Sequence, residues 1–429
     1  MENNYGFDTL AVHGGFKKDP ATGVNVVPIY QSNAYAFDST EHARRLFSLE
    51  EGGNIYSRLT NPTVDVFEQK MALLEGGVAA CATASGHAAI SLIVFNLCQA
   101  GDEIISSRYI YGGAVNLLGV TMKSHGITCK FVDPNNAEEV ENAITDKTKL
   151  IFSETIGNPN ADITDIEALA KIAHKHGLPL VIDSTFTSPY LIRPIEYGAD
   201  IVVHSATKCI NGHGNSMGGV VIDSGKFVWK GNPRFPQLND PDPSYHGIVF
   251  ADVANNAGFI TRFRALLLRD FGPCMSAFNA YMMILGLETL SLRMRKHSDN
   301  AFEVAKYLKN HPMVEFVNYA AFPEDKYHHL YKKYYEKNGL AAVFTFGLKA
   351  TREETAKFID SLKLLANVAN VCDTRSMVVH PATTTHSQLS AEQLEAGGIK
   401  ENTVRISVGI EDVRDITADL EQAIEAMKK

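Results

Sequence analysis

At 429 residues, 45% hydrophobic and 21% charged, the chain has the balance of a soluble globular protein and the length of two or three domains. It carries 40 basic and 49 acidic residues, a net charge of −9, and no basic run with interleaved aromatics, which argues against a nucleic-acid binder. The six cysteines (81, 98, 129, 209, 274 and 372) are scattered with no Cys-x-x-Cys pair, which argues against a disulfide framework and for a reducing, cytoplasmic setting.

The stretch from Met1 to Gly6 has neither a basic nor an apolar segment, so no secretory signal is read there. Residues 1–60 are broken by Gly14-Gly15, Pro20, Gly23, Pro28 and Gly52-Gly53, with a short helix from about Glu41. An arm with so little core of its own is expected to lie over something else, such as another subunit. Asn61-Pro62 then starts a helix: an Asn cap, proline at the first position, and Gly76-Gly77 at the end.

Strands and helices alternate from there. Strands are predicted at 78–83, 102–106, 130–132, 149–153, 180–183, 201–203 and 219–222, with helices at 88–97, 113–125, 138–144 and 164–176. Thr164 and Glu167 form a predicted capping box for the last of these. This order predicts a mostly parallel sheet covered on both faces. The apolar stretch from Ala88 to Leu97 is too short to span a bilayer and is interrupted by Ser91, so no membrane role is expected.

Residues 226–250 break the pattern with Pro233, Pro236, Pro241 and Pro243, and read as a long functional loop or lid. Helices are predicted from about Asp252 to Arg295, divided at Pro273, with a further one marked by Ala301, Val304, Ala305 and Leu308. A strand at 341–348, a helix capped by Thr351 and Glu354, a strand at Val404, Ile406 and Val408, and a last helix through Met427 complete the chain. The expected organisation is an arm at 1–60, a large cofactor-binding domain at 61–272 and a smaller α+β domain at 273–429.

Three stretches could carry chemistry. Ile201-Val202-Val203-His204-Ser205-Ala206-Thr207-Lys208 puts a lysine at the end of a buried strand. Such a lysine either snorkels to solvent or serves as a nucleophilic amine that forms a Schiff base. Leu180-Val181-Ile182-Asp183 ends a neighbouring strand in a carboxylate, either a turn cap or the partner of a buried cation. Ala84-Ser85-Gly86-His87 joins a strand to a helix, either as an ordinary Ser cap or as a phosphate seat supplemented by the hydroxyls of Ser205 and Thr207. His174 and His176 point apart on one helix, and His380 and His386 lack a metal-ligating partner, so no metal is expected. Dinucleotide, P-loop and nucleophile-elbow signatures do not occur. Pyridoxal 5'-phosphate needs a lysine for its aldehyde, an acid for its ring nitrogen and an anion seat for its phosphate, and these stretches supply all three.

With Tyr56-Ser57-Arg58, Tyr111-Gly112-Gly113, Asn158-Pro159, Ser205-Ala206-Thr207-Lys208, His380-Pro381-Ala382 and Arg405-Ile406-Ser407-Val408-Gly409 added, the chain resembles the pyridoxal-phosphate enzymes of cysteine and methionine metabolism. The resemblance implies an α/β, aspartate-aminotransferase-like fold of type I. The loop with Pro243-Ser244-Tyr245-His246-Gly247 is similar to that of the O-acetylhomoserine sulfhydrylase branch. That branch exchanges the γ-acetoxy group of O-acetyl-L-homoserine for sulfide or a thiol such as methanethiol, giving homocysteine or methionine. Methionine γ-lyases and cystathionine γ-synthases (or O-succinylhomoserine sulfhydrylases) are the alternatives within the family. The lyases often carry a cysteine just after the stacking tyrosine, where this chain has Gly113.

The resemblance also implies roles. Lys208 binds the cofactor aldehyde and then shuttles protons; Asp183 pairs the ring nitrogen; Tyr111 stacks on the ring and acts as acid near the leaving group. Ser85, Gly86, His87, Ser205 and Thr207 hold the phosphate, and Tyr56 and Arg58 reach the site of an adjacent subunit. Arg405 and Asn158 bind the substrate α-carboxylate. A homodimer with shared sites, assembling into a tetramer, is implied. Four positions depart from the family pattern: Ser184 for Asn, His87 for Met or Gln, Cys209 for an aromatic residue, and Cys372 for Gly.

Overall fold

A computed structural model describes residues 5–384 and 400–428. His386 lies outside the described residues. Seven strands form the larger sheet: β1 (Ala79–Thr83), β2 (Glu103–Ser107), β3 (Thr128–Val132), β4 (Thr148–Glu154), β5 (Leu180–Asp183), β6 (Ile201–His204) and β7 (Gly219–Asp223), in the order β1-β7-β6-β5-β4-β2-β3. Every neighbouring pair is parallel except those made by β7, which runs antiparallel to both β1 and β6. Alternate residues of one strand serve opposite cores. Leu180, Ile182 and Val202 face one apolar cluster, and Val181, Ile201 and Val203 the other. A strand with apolar partners on both faces needs a continuous β-branched run, which is why the sequence reads as it does there.

The helix α1 (Pro62–Glu75) starts as expected. The Asn61 side chain accepts from the Thr63 and Val64 N–H groups, and Gly76 closes the helix at φ 79°. The helix Ile166–Lys175 corrects the predicted capping box. Its cap is Asp165, which accepts from Ala168, while the Thr164 hydroxyl instead donates to the Glu154 carbonyl at 2.7 Å. Thr164 lies too close to buried β4 to be spared for the helix end.

Residues 226–250 are neither structureless nor a lid. Phe227, Trp229, Phe235 and Phe250 are buried and build a small aromatic core: Trp229 stacks on Phe259 with centroids 5.5 Å apart and meets Phe235 at 5.1 Å. The Arg234 guanidinium donates to the carbonyls of Thr145, Asp146 and Thr148, which ties the segment to the N-terminal end of β4. The prolines and glycines suggest a loop, but the aromatics between them decide the structure of the segment. A Trp229→Ala protein is expected to lose about 3–5 kcal/mol of stability. It should unfold at lower urea with little change in turnover, because this segment sits at the opposite end of the strands from the site below.

Pro273 does divide the following helices. One helical stretch ends at Phe271, Gly272 turns at φ 83°, and Ala277–Glu288 and Leu290–Asn310 follow. The latter is a single helix and absorbs the separate one expected around Ala301. The second sheet contains β8 (Val314–Asn318), β9 (Val343–Leu348), β10 (Ala366–Asn367), β11 (Met377–Val379) and β12 (Thr403–Ser407), in the order β10-β11-β12-β9-β8. Only β10 and β11 run parallel. Of these strands, only β9 and β12 were legible in the sequence. The predicted box at Thr351 and Glu354 is present in both directions. Among the described residues, no helix is long and apolar enough to cross a membrane.

Candidate functional site

The parallel strands all end at one edge of the larger sheet, where open α/β sheets bind ligands. A cavity of about 450 Å³ opens there. Its walls come from the turns after β1, β2 and β6, from the last residues of β4 and β5, and from the second sheet. Ser85, Gly86, His87, Tyr111, Asp183, Ser205, Thr207, Lys208, Asn158 and Arg405 all line it. Residues that the sequence places up to 320 positions apart (Ser85 to Arg405) thus meet in one cleft. Tyr56 and Arg58 do not join them. They lie on the arm, with the Arg58 guanidinium 5.0 Å from the Tyr56 ring centroid and the Arg58 Nε buried without a partner among the described residues.

The turn after β1 opens the helix Gly86–Leu97. Ser85 is an ordinary N-cap: its Oγ accepts from the Ala88 N–H at 3.1 Å. The N–H groups of Gly86 and His87 have no protein acceptor among the described residues. They remain free for an anion, and the helix dipole favours one there. Gly86 is required for space, since a Cβ would lie 2.7 Å from the Ser205 Cβ. The close approach brings the Ser205 hydroxyl, itself without a protein partner among the described residues, to the same seat. Thr207 is placed differently. Its hydroxyl is engaged with both the N–H and the carbonyl of Gly218, and so braces the returning glycine loop.

Lys208 is half-buried, and its Nζ donates to the Asn370 Oδ1 at 2.5 Å. Burial holds its pKa below the ordinary lysine value, with Arg405 pushing the same way. Asp183 ends β5 facing the cavity and accepts from the Thr185 N–H at 2.9 Å. Burial pushes its carboxyl up, and Thr185, His204 and His87 pull it back toward ionisation. No lysine or arginine is within ion-pair distance of it among the described residues. A buried carboxylate facing a cavity without a cation is a site for a cationic group.

Arg405 is the mirror case. It is 4% exposed and has no acidic partner among the described residues. Its guanidinium donates to the Asn158 Oδ1 at 3.0 Å and the Asn370 carbonyl at 3.4 Å, and burial lowers its pKa to about 10. It suits a bidentate carboxylate. Tyr111 is 44% exposed, and His87 meets its ring edge-on at 5.6 Å. At Gly113 a Cβ would lie 2.5 Å from the Tyr111 Cε1, so any larger residue would displace that ring.

Three residues of the site escaped the sequence-based reading. Asn370 holds Lys208 from a loop between strands too short to recognise. Met217 lines the cavity within the glycine loop. Glu154 ends β4 beside Asp183 and accepts the Tyr111 N–H at 2.8 Å. A carboxylate closing an apolar strand was the available signal for Glu154, the same one that found Asp183. Of the four departures, Cys372 takes φ 58°, a left-handed conformation that explains a family preference for Gly there. Ser184 is buried and hydrogen-bonds Thr187 at 2.8 Å.

A sequence profile of the family described as Cys/Met metabolism PLP-dependent enzyme matches residues 8–425. The chain is 47% identical to the O-acetyl-L-homoserine sulfhydrylase of Leptospira meyeri, over 99% of this chain and 98% of that one. It is 46% identical to the homocysteine synthase of Schizosaccharomyces pombe, over 98% of each. A crystal structure of an O-acetylhomoserine (thiol)-lyase from Campylobacter jejuni, which carries a pyridoxyl-lysine phosphate, superimposes with a TM-score of 0.95 at 40% identity. That match covers 98% of this chain and all of the other.

Proposed function

Because the chain belongs to the pyridoxal-phosphate-dependent enzymes of cysteine and methionine metabolism, we propose that it exchanges the γ-acetoxy group of O-acetyl-L-homoserine for sulfide or a small thiol. The products are homocysteine, or methionine from methanethiol, and acetate. The observation that carries this reading is the pairing of unmet charges across one cavity: Asp183 without a cation, Arg405 without an anion, and Lys208 between them. The cleft fits the cofactor on the same grounds. The free N–H groups of Gly86 and His87 with the Ser205 hydroxyl would hold its phosphate, Asp183 its ring nitrogen, Lys208 its aldehyde, and the Tyr111 ring its face. Ser85 contributes through its capped helix end, and Thr207 through the loop it braces. When bound, pyridoxal phosphate supplies an electron sink for the charge left by proton removal.

The protein's own groups do the rest. Arg405, oriented by Asn158, clamps the substrate carboxylate and so aims the α-proton at Lys208. Lys208, with its pKa lowered by burial, is a competent base for that proton and for the β-proton that follows. The Tyr111 phenol, which lines the same cavity, serves as the acid for the departing acetate. Gly113, where the lyases often carry a cysteine, supports this reading over a γ-lyase, and a Cβ there would press on the Tyr111 ring as it stands in this chain.

Tyr56 and Arg58 complete the site of an adjacent subunit in a homodimer, and pairs of dimers form a tetramer in the cytoplasm. The exposed Tyr56 and the Arg58 Nε, which has no partner among the described residues, neither of them lining their own cavity, support the shared site. The chain divides into an arm at 1–60, a large unit at 61–272 and a smaller one at 273–429, a reading supported at one boundary by the helix end at Gly272.

Incubation of the loaded enzyme with O-acetylhomoserine and sulfide is expected to yield homocysteine and acetate in equal amounts. Inertness there, with 2-oxobutyrate and ammonia released from methionine, would overturn the reading in favour of a γ-lyase. Turnover of O-succinylhomoserine alone would shift it to the succinyl-specific branch.

A further inference from the structure

Glu154 and Asp183 are partners in register on the parallel strands β4 and β5. Neighbouring strands lie about 4.8 Å apart, and residues in register point to the same face. Both side chains reach the same cavity; Glu154 is buried and Asp183 half-buried at the strand end. Two carboxyl groups so placed do not both ionise unless a cation serves each.

The cations around them are accounted for. Lys208 on the turn after β6 is held by Asn370, and Arg405 on β12 is held by Asn158 and the Asn370 carbonyl. His87 from the turn after β1 and His204 from β6 act on Asp183. Among the described residues, none of these forms an ion pair or a hydrogen bond with the Glu154 carboxyl. The Tyr111 side chain forms the remaining wall. The bound cofactor brings one ring-nitrogen cation, and the function proposed above assigns it to Asp183. Glu154 is left with a single backbone donor, the Tyr111 N–H.

That donor is informative. Tyr111 is the N-cap of the helix Gly112–Asn116, and its own side chain makes no capping bond. The Glu154 Oε1 therefore fixes the backbone from which the stacking ring projects. We propose that Glu154 is a positioning residue that works as a neutral carboxylic acid, one oxygen holding the Tyr111 N–H and the other keeping a proton beside ionised Asp183. A carboxylate at this position would weaken the pairing of Asp183 with its cation by drawing that cation toward itself. The neutral acid leaves Asp183 as the sole anion of the pair. Burial and the charge of Asp183 both push the Glu154 pKa well up, in agreement with this assignment.

The inference rests on the cofactor reading of Asp183. An amide has nearly the shape of a protonated carboxyl and accepts the same N–H, so Glu154→Gln is expected to keep kcat within about threefold. Glu154→Ala, which strands the Tyr111 N–H, is expected to lower kcat about tenfold or more. The protonation state is read directly from the cofactor-loaded protein at neutral pH. The infrared difference between wild type and Glu154→Gln should show a protonated-carboxyl C=O band that shifts in heavy water. Loaded protein without that band, or a Glu154→Gln protein as impaired as Glu154→Ala, overturns the assignment. Protein that takes up no cofactor overturns this inference and the function it rests on together, whereas a missing band in loaded protein leaves that function standing. Should Glu154→Ala fail to fold, the band and the Gln variant decide alone.

Discussion

A Lys208→Ala protein is expected to lose roughly 10⁴-fold or more in kcat, while remaining folded and still able to bind free pyridoxal phosphate. Two contributions vanish together. One is the general base for the α- and β-protons, worth about 10²–10⁴-fold by itself. The other is the covalent tether that fixes the cofactor for attack. A 10⁴-fold loss corresponds to about 5.5 kcal/mol of transition-state stabilisation. Folding should be spared, because Lys208 has one side-chain hydrogen bond, to Asn370, and its desolvation opposes rather than supports the folded state. Borohydride treatment followed by peptide mapping separates the outcomes: label on a peptide containing Lys208 in the parent and none in the variant. Normal turnover by Lys208→Ala would refute the assignment of this lysine.

Arg405→Met is expected to separate activity from stability in the opposite sense. Its guanidinium is buried without an acidic partner among the described residues, so it is a desolvated charge awaiting an anion. Losing the clamp on the substrate carboxylate should raise KM about 100- to 1,000-fold, roughly 3–4 kcal/mol. Replacing an unpaired buried charge with an apolar side chain of similar volume should leave stability unchanged or raise it by about 1–4 kcal/mol. Steady-state kinetics with O-acetylhomoserine and urea unfolding of the same preparation test both halves. A variant with unchanged KM would remove Arg405 from substrate binding; a variant that unfolds much earlier would make it a structural residue. Arg405→Lys should recover little, because an ammonium cannot reproduce the fork geometry.

Much of this site was legible because the relevant groups interrupt apolar strands. Asp183 ends a strand whose other residues are fully buried and Lys208 follows one, and a charge at such a point asks for a partner. Ser205 was legible as a hydroxyl for the seat at Gly86, although the tight contact between the two, which leaves no room for a Cβ, shows only in three dimensions. Glu154 carried the same signal as Asp183 but lacked a role until the register of β4 and β5 set the two side by side. Asn370 lies in a segment with no periodicity, and its contact with Lys208 spans 162 residues. The insertion at 226–250 misled because turn residues dominate its composition while four aromatics decide its structure. Thr164 matched the capping pattern, and tertiary demand from the Glu154 carbonyl won over local preference. Tyr56 and Arg58 meet each other on the arm and do not line the cavity, so the role expected for them is not legible from a single chain.

The antiparallel strand β7 has a consequence for synthesis. It lies between β1 and β6, so β1 gains its neighbour only when Gly219 to Asp223 have left the ribosome. Until then the Gly86 helix end has no sheet to be fixed against, and Ser205 has no fixed counterpart across the cleft. Arg405 follows nearly two hundred residues later still, on β12. A nascent chain therefore carries Lys208 shortly before β7 can finish the anion seat and well before Arg405 is made. A reactive amine exposed early has no substrate to act on until the last sheet has closed, which makes competence a property of the completed chain alone.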